Sequence, residues 1–302
     1  MTSQTIDAAA AGTWTLGDRT VNRIGFGAMR LPQTGEAFPA DAVARDRGQA
    51  IGVLRRAVEL GVNHIDTAAF YFSPLRSANE LINRALAPYP DDLVITTKVG
   101  PSRDPSGRWL PHATPEQLRG QVEENLRQLG RDHLDVVNLR IVGTDSITER
   151  FGALAELRRA GLIRHLGLSN VRPHHLAEAQ AIAPVVCVQN MYGIGASPEQ
   201  RRFVDLCGEQ RVAFVPFYSI AGTGRTAGAT TDDSDEVLAI ARAHGVGTAR
   251  IRLAWTLHQG PHVLAIPGTG DPGHLAQNVA AGSLRLSEDE VTALNSLRHE
   301  TV

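Results

Sequence analysis

Leu134-Asp135-Val136-Val137-Asn138-Leu139-Arg140 is an apolar run that ends in a cation. A short stretch this rich in Val and Leu reads as a strand buried on both faces. Working outward, Leu118, Val122, Leu126 and Leu129 recur at helical spacing before it, and Leu154, Leu157 and Leu162 do so after it. A buried strand between two one-sided helices is the repeating unit of a parallel sheet. Similar runs begin near Ile24, Asn63, Leu93, His165, Val185, Ala213 and Val263, which makes eight strand–helix units. Eight suits closure into an (α/β)8 TIM barrel, which leaves no sheet edge. An open doubly wound sheet is the alternative, but Gly25-Phe26-Gly27-Ala28-Met29-Arg30 lacks the third glycine of a dinucleotide fingerprint.

Ahead of these units, Trp14-Thr15-Leu16, Gly17-Asp18 and Arg19-Thr20-Val21 read as an N-terminal β-hairpin. Thr114 with Gln117, Ser146 with Glu149 and Ser287 with Glu290 have capping-box spacing. Gly61, Gly130 and Gly161 stand where helices should stop. No linker divides residues 13–302, so they read as a single domain, with 1–12 a frayed or disordered end and no signal peptide. The Gly/Thr/Ala/Asp-rich residues 221–235 read as a long mobile loop.

The formal net charge is -2, which points to neither nucleic acid nor an anionic membrane as a partner. No apolar stretch is long enough for a membrane span. The two cysteines, Cys187 and Cys207, fit core filler in a reducing compartment, and a cytoplasmic location is expected. The eleven histidines show no metal-ligand spacing, so no metal is expected. The oligomeric state is not written in the sequence.

In a barrel, strand C-termini converge on one mouth. Asp66 and Tyr71 close the second run, Lys98 the third and Arg140 the fourth. Taken singly, Asp66 reads as a strand-end cap, Tyr71 as a loop aromatic and Lys98 as a surface charge. Taken together they form an acid/base set. A cation beside a phenol lowers its pKa, Asp66 can hold the Lys98 ammonium, and Tyr71 can then protonate a carbonyl oxygen.

At these residues the chain resembles the aldo-keto reductase superfamily. The resemblance rests on Asp66-Thr67-Ala68-x-x-Tyr71 with Asn79-Glu80, Thr96-Thr97-Lys98 and Gly167-Leu168-Ser169-Asn170. It continues through Val188-Gln189-Asn190-x-Tyr192, Pro216-Phe217-Tyr218-Ser219 and Ile266-Pro267-Gly268-Thr269 with His274 and Asn278. It implies a barrel that binds a nicotinamide dinucleotide and reduces a small aldehyde or ketone, with Tyr71 as proton donor. Ser169, Asn170 and Gln189 would hold the carboxamide, and Tyr218 would stack on the nicotinamide. Ser219, Pro267, Gly268, Thr269, His274 and Asn278 would surround the pyrophosphate and adenosine. Met29, Phe72, Trp109 and Tyr192 are candidate pocket residues, Trp109 from a polar loop after the Lys98 strand.

Two departures stand out. Gly268 and His274 occupy positions where many members carry cations for the NADP 2′-phosphate, and Asp271 adds a negative charge. The resemblance favours NADP(H), and NAD(H) stays possible. Arg140 stands where the superfamily's catalytic residue is usually histidine. It cannot shuttle a proton, but it can hold an oxygen, stabilise an oxyanion or bind an anionic group on a substrate. Two other functions therefore stay open: a regulatory cofactor-binding protein with little turnover, and a reductase of conjugated C=C bonds.

Overall fold

The computed structural model describes residues 6–35, 38, 42–220 and 234–297. The elements run β1 Thr13–Leu16, β2 Arg19–Asn22, β3 Phe26–Gly27, α1 Arg47–Glu59, β4 His64–Asp66, β5 Phe72–Ser73, β6 Arg76–Ser77, α2 Ala78–Leu86, β7 Val94–Val99, α3 Pro115–Leu129 and β8 Leu134–Arg140. There follow α4 Thr148–Arg159, β9 Ile163–Ser169, α5 Pro173–Gln180, β10 Val185–Gln189, α6 Pro198–Glu209, β11 Ala213–Phe214, α7 Asp235–His244, α8 Thr248–His258, α9 Pro272–Ala280 and α10 Glu288–Ser296.

The main sheet is parallel, in the order β11-β10-β9-β8-β7-β4-β3. The expected eighth strand near Val263 is reduced to isolated parallel bridges, Phe214 to Val263 and Ile24 to Ala265. Leu264 N donates to Phe214 O (2.9 Å) and Ala265 N to Arg23 O (2.8 Å), so residues 263–265 close the barrel between its two outer strands.

Side chains alternate along each strand. Val94, Val136, Cys187 and Ala213 form the lowest interior layer, together with Leu16 and Val21 of the β1–β2 hairpin, which plugs the barrel floor. Two residues further up lie Asn138 and Gln189, and four further up Lys98 and Arg140. The same faces that fill the floor with hydrocarbon thus deliver polar groups to the mouth. The larger apolar cluster lies between the sheet and its surrounding helices.

The Thr114–Gln117 and Ser287–Glu290 boxes form, and Gly61, Gly130 and Gly161 take positive φ at helix ends. The Ser146–Glu149 box does not form. Helix α4 begins at Thr148, and Ser146 Oγ instead donates to Glu178 of α5 (3.0 Å). Residues 8–11 also depart from the frayed end expected for 1–12. Asp7 accepts a bond from Ala9 N (2.8 Å) and Ala8 N donates to Leu60 O (2.8 Å), so a buried 3-10 turn is tied to the end of α1. The expected mobile loop at 221–235 lies outside the described residues up to 233, and Ser234 caps α7.

Candidate active site

Asp66 ends β4 and Lys98 lies near the end of β7, the next strand round the barrel. Lys98 Nζ donates to both Asp66 oxygens (2.6 and 2.7 Å) and to Thr67 O (3.0 Å). Gln189 Nε2 donates to Asp66 Oδ2 at 2.8 Å. Behind this pair, Thr67 Oγ1 donates to Asn79 Oδ1 (2.7 Å), while Asn79 Nδ2 (2.9 Å) and Thr97 Oγ1 (2.6 Å) both donate to Asn125 Oδ1. This buried network ties the ends of β4 and β7 to α2 and α3. It explains what Asn79 contributes to the pattern read in the sequence.

Tyr71 lies in the turn after β4, buried against Phe70, with its ring centroid 4.9 Å from Lys98 Nζ. The expected lowering of its pKa does not occur. Burial and the Asp66 charge push the phenol well above its ordinary value, and only Arg140 pulls it down. The reason is that Asp66 neutralises the Lys98 ammonium at contact distance, so burial dominates. The phenol therefore keeps its proton, as a donor must. Burial also pushes Lys98 down, opposed by Asp66.

Arg140 closes β8. Its Nη1 donates to Ser169 Oγ on β9 (3.1 Å), and its guanidinium lies 5.2 Å from the centroid of the Phe217 ring. It pairs with no carboxylate among the described residues.

Asp66, Tyr71, Lys98, Arg140 and Gln189 line one cavity of about 740 Å³. Its other end is made of Tyr218, Ser219, Pro267, Gly268, Thr269, His274 and Asn278. Gly268 has a steric reason to be glycine, since a Cβ there would collide with the Gly27 carbonyl oxygen. Asp271 is engaged as the N-cap of α9, where it accepts from His274 N at 2.8 Å. A cation does reach this end, from outside the segment. Arg45 lies over Gly270, tethered by its backbone N to Pro32 O (3.1 Å) and by Nη2 to Gln33 O (3.0 Å). Its Nε is buried without a partner. Gln49 of α1 fixes the register of the two segments by donating to Gly270 O at 2.8 Å.

A buried Lys–Asp pair beside a protonated phenol, at one end of a long mouth whose other end is a glycine-rich loop and a helix N-terminus, suits a reactive carbonyl and a phosphate-bearing cofactor. The family model described as "Aldo/keto reductase family" matches residues 23–299. This chain belongs to the aldo/keto reductase family. It is similar to pyridoxine 4-dehydrogenase of Escherichia coli, 42% identical over 298 residues, covering 96% of this chain and 100% of that one. It is also similar to a methylglyoxal reductase of Escherichia coli, 28% identical over 274 residues, covering 89% and 92%. Among solved structures, an aldo-keto reductase from Klebsiella pneumoniae in complex with NADPH matches with TM-score 0.77 at 26% identity, covering 94% of this chain and 93% of that one. The chain is therefore an NAD(P)-dependent oxidoreductase of the carbonyl-reducing kind.

The mouth of this aldo/keto reductase fits such a cofactor in two respects. Gln189 lines the cavity and its Oε1 is buried without a partner, which leaves an acceptor free for a carboxamide. The backbones of Gly27 and Gly268 approach so closely that no side chain intrudes between them.

Not every expected residue reaches the cavity. Ser169 is fully buried with its hydroxyl taken by Arg140, and Asn170, at φ +60°, spends its side-chain amide on Ile141 O (2.9 Å); neither lines the wall. Met29 and Trp109 do line it, Trp109 being 52% exposed and edge-on to Phe38 and Phe70. Phe72 does not; its ring lies under the Arg103 guanidinium, 4.5 Å away. Tyr192 faces outward instead, stacked on Trp255 of α8, with its hydroxyl donating to Gln259 (3.2 Å). Phe38, Phe70 and Arg45 line the wall without a sequence motif naming them, and Phe217 does so from within the motif that ends in Tyr218 and Ser219. Phe70 and Phe217 each precede a recognised tyrosine, which is a usable signal; Phe38 and Arg45 carry none.

Proposed function

We propose that this chain reduces the carbonyl of a small aldehyde or ketone with NADP(H), and that Tyr71 donates the proton. The observation that carries the reading is the buried Lys98–Asp66 pair beside a phenol that retains its proton, all facing one cavity. When bound, the nicotinamide supplies a hydride to the carbonyl carbon. As the carbonyl electron pair moves onto oxygen, the Tyr71 O–H bond breaks and its proton passes to that oxygen. Lys98 stabilises the phenolate left behind, and Asp66 keeps Lys98 charged and oriented. Arg140 donates hydrogen bonds to the developing oxyanion, a role that needs no proton transfer. In the reverse direction the same groups accept the proton from an alcohol. The relative named pyridoxine 4-dehydrogenase makes pyridoxine and pyridoxal the first pair to assay.

NADP(H) is proposed over NAD(H) because Arg45 brings a cation to Gly270 and the N-terminus of α9; Asp271, held as a carboxylate by its helix cap, lies within the field of Arg45 and helps keep it charged. Gln189, Tyr218, Ser219, Thr269, His274 and Asn278 complete the cofactor wall. The free, buried Cys187 and Cys207 accord with the cytoplasm as the proposed location.

The test is loss of NADPH absorbance with a panel of aldehydes, for the wild type and Tyr71→Phe, together with NADPH binding followed by fluorescence. Turnover that needs Tyr71, with binding that does not, is the expected result. Tight binding with no turnover by the wild type on any substrate overturns the reading.

A further inference from the structure

We infer that Arg140 selects aromatic aldehydes that carry a phenolate oxygen on the ring carbon next to the aldehyde. The inference rests on the carbonyl-reductase reading above and names its substrate class.

Among the described residues the charges at the reaction end do not cancel. Asp66 gives both oxygens to Lys98 and also accepts from Gln189, so that acid–base pair is closed on itself. Arg140 lines the same cavity, and its charge is felt by both Tyr71 and Lys98. The hydrogen bond it makes is to the neutral Ser169 hydroxyl, and no carboxylate among the described residues forms an ion pair with it. Among the described residues, two cations thus face one carboxylate where the carbonyl must bind. A cation partly removed from water is stabilised by an anion at contact. The anion that completes this site comes with the substrate.

Shape narrows the class. Phe217 lies against the guanidinium, and Phe38, Phe70 and Trp109 wall the cavity. A guanidinium is a planar fork whose parallel N–H groups meet two oxygens at once, whereas a histidine ring nitrogen offers one. An aromatic aldehyde with an adjacent phenolate presents two coplanar oxygens, the carbonyl and the ring oxygen, on a flat body that packs between aromatic walls. Pyridoxal has this arrangement, and so does 2-hydroxybenzaldehyde.

The experiment measures kcat/KM with NADPH for benzaldehyde, 4-hydroxybenzaldehyde, 2-hydroxybenzaldehyde, 2-methoxybenzaldehyde and phenylglyoxylate. It uses the full chain as wild type, Arg140→Gln and Arg140→Lys. The 4-hydroxy compound controls for ring electronics and the methoxy compound for bulk. The expected result is a preference of about tenfold or more for 2-hydroxybenzaldehyde over both controls. It should grow as pH is raised through that phenol's own titration, fall toward unity in Arg140→Gln, and survive in part in Arg140→Lys. The wild-type comparison needs no variant, so misfolding of a variant cannot decide the outcome. A wild-type ratio near unity, a preference undiminished in Arg140→Gln, or a preference for phenylglyoxylate over the phenolate overturns the inference. If benzaldehyde is reduced without an ortho preference, the reductase reading stands and this inference alone falls. If no aldehyde consumes NADPH, both fall.

Discussion

The two ends of the mouth are built on different principles. At the reaction end, Asp66, Lys98 and Arg140 project from the ends of adjacent parallel strands, and a buried Thr67–Asn79–Asn125–Thr97 network holds those ends together. At the phosphate end the wall is loop and helix N-terminus, and its cation is borrowed from the segment before α1. The contrast shows where chemistry and binding can vary separately. Strand-end groups are fixed by sheet register, so changing one alters the reaction. A loop cation lies on a separate piece of chain, so changing it should tune which cofactor binds and leave the reaction intact.

The largest effect that could break this contrast is on turnover. Tyr71→Phe removes the proposed proton donor and should lower kcat by roughly 10²–10⁴-fold, while the NADPH dissociation constant should move less than about twofold. A comparable loss of cofactor binding would mean the two ends are not separable. Next is stability. Lys98→Met leaves Asp66 buried beside Gln189 without its counter-charge, and should cost about 3–5 kcal/mol in urea unfolding; a loss below about 1 kcal/mol would show that Asp66 takes up a proton instead.

A third effect belongs to the barrel floor, where His64 pairs in register with Val94. His64 is buried with neither ring nitrogen hydrogen-bonded, and burial lowers its pKa to about 4 from 6.5. Below pH 6.5 the unfolded chain takes up a proton at His64 that the folded chain refuses until about pH 4. Stability contributed by the neutral ring is thus complete above pH 6.5 and lost as pH falls between those values, by about 3 kcal/mol in all. Urea midpoints across that window should fall in the wild type and fall less in His64→Leu. The smallest effect belongs to the phosphate end. Arg45→Gln should weaken NADPH by about tenfold and NADH by less than about twofold in fluorescence titration, since the lost contact is to a phosphate that NADH lacks. Equal weakening of both would place Arg45 on the pyrophosphate instead.

What was legible in the sequence follows the same division. Residues 134–140 and their neighbours announce strands through continuous hydrophobicity, and a barrel sends every strand end to one mouth. The sequence alone therefore gathers Asp66, Tyr71, Lys98 and Arg140 at one mouth. Tyr192 departs from the expected pocket position because lying past a strand end does not fix which way a side chain turns, and it turns outward to Trp255. The Tyr71 phenol lies above its ordinary pKa and not below it, because sequence spacing reveals a nearby cation but neither its neutralisation by contact nor the depth of burial. Arg45 was invisible because no periodic pattern links the chain before α1 to a loop more than two hundred residues later. The reduced eighth strand at 263–265 still reads as a strand, since Val263, Leu264 and Ala265 are fully buried, although its ladder to each neighbour is a single bridge supported by a few backbone hydrogen bonds.

That closure is the seam of the barrel. It is its most sparsely laced strand, and it runs straight into Ile266 and the loop that lines the phosphate end. The cavity wall takes Gly27 from one side of the seam, Pro267 to Asn278 from the seam strand's continuation and Tyr218 and Ser219 from the other, so a dinucleotide bound as proposed would span all three pieces. Filling the mouth therefore stitches the barrel shut. The apo enzyme should open first along this line, with amide exchange at residues 263–265 slowing most when cofactor is added.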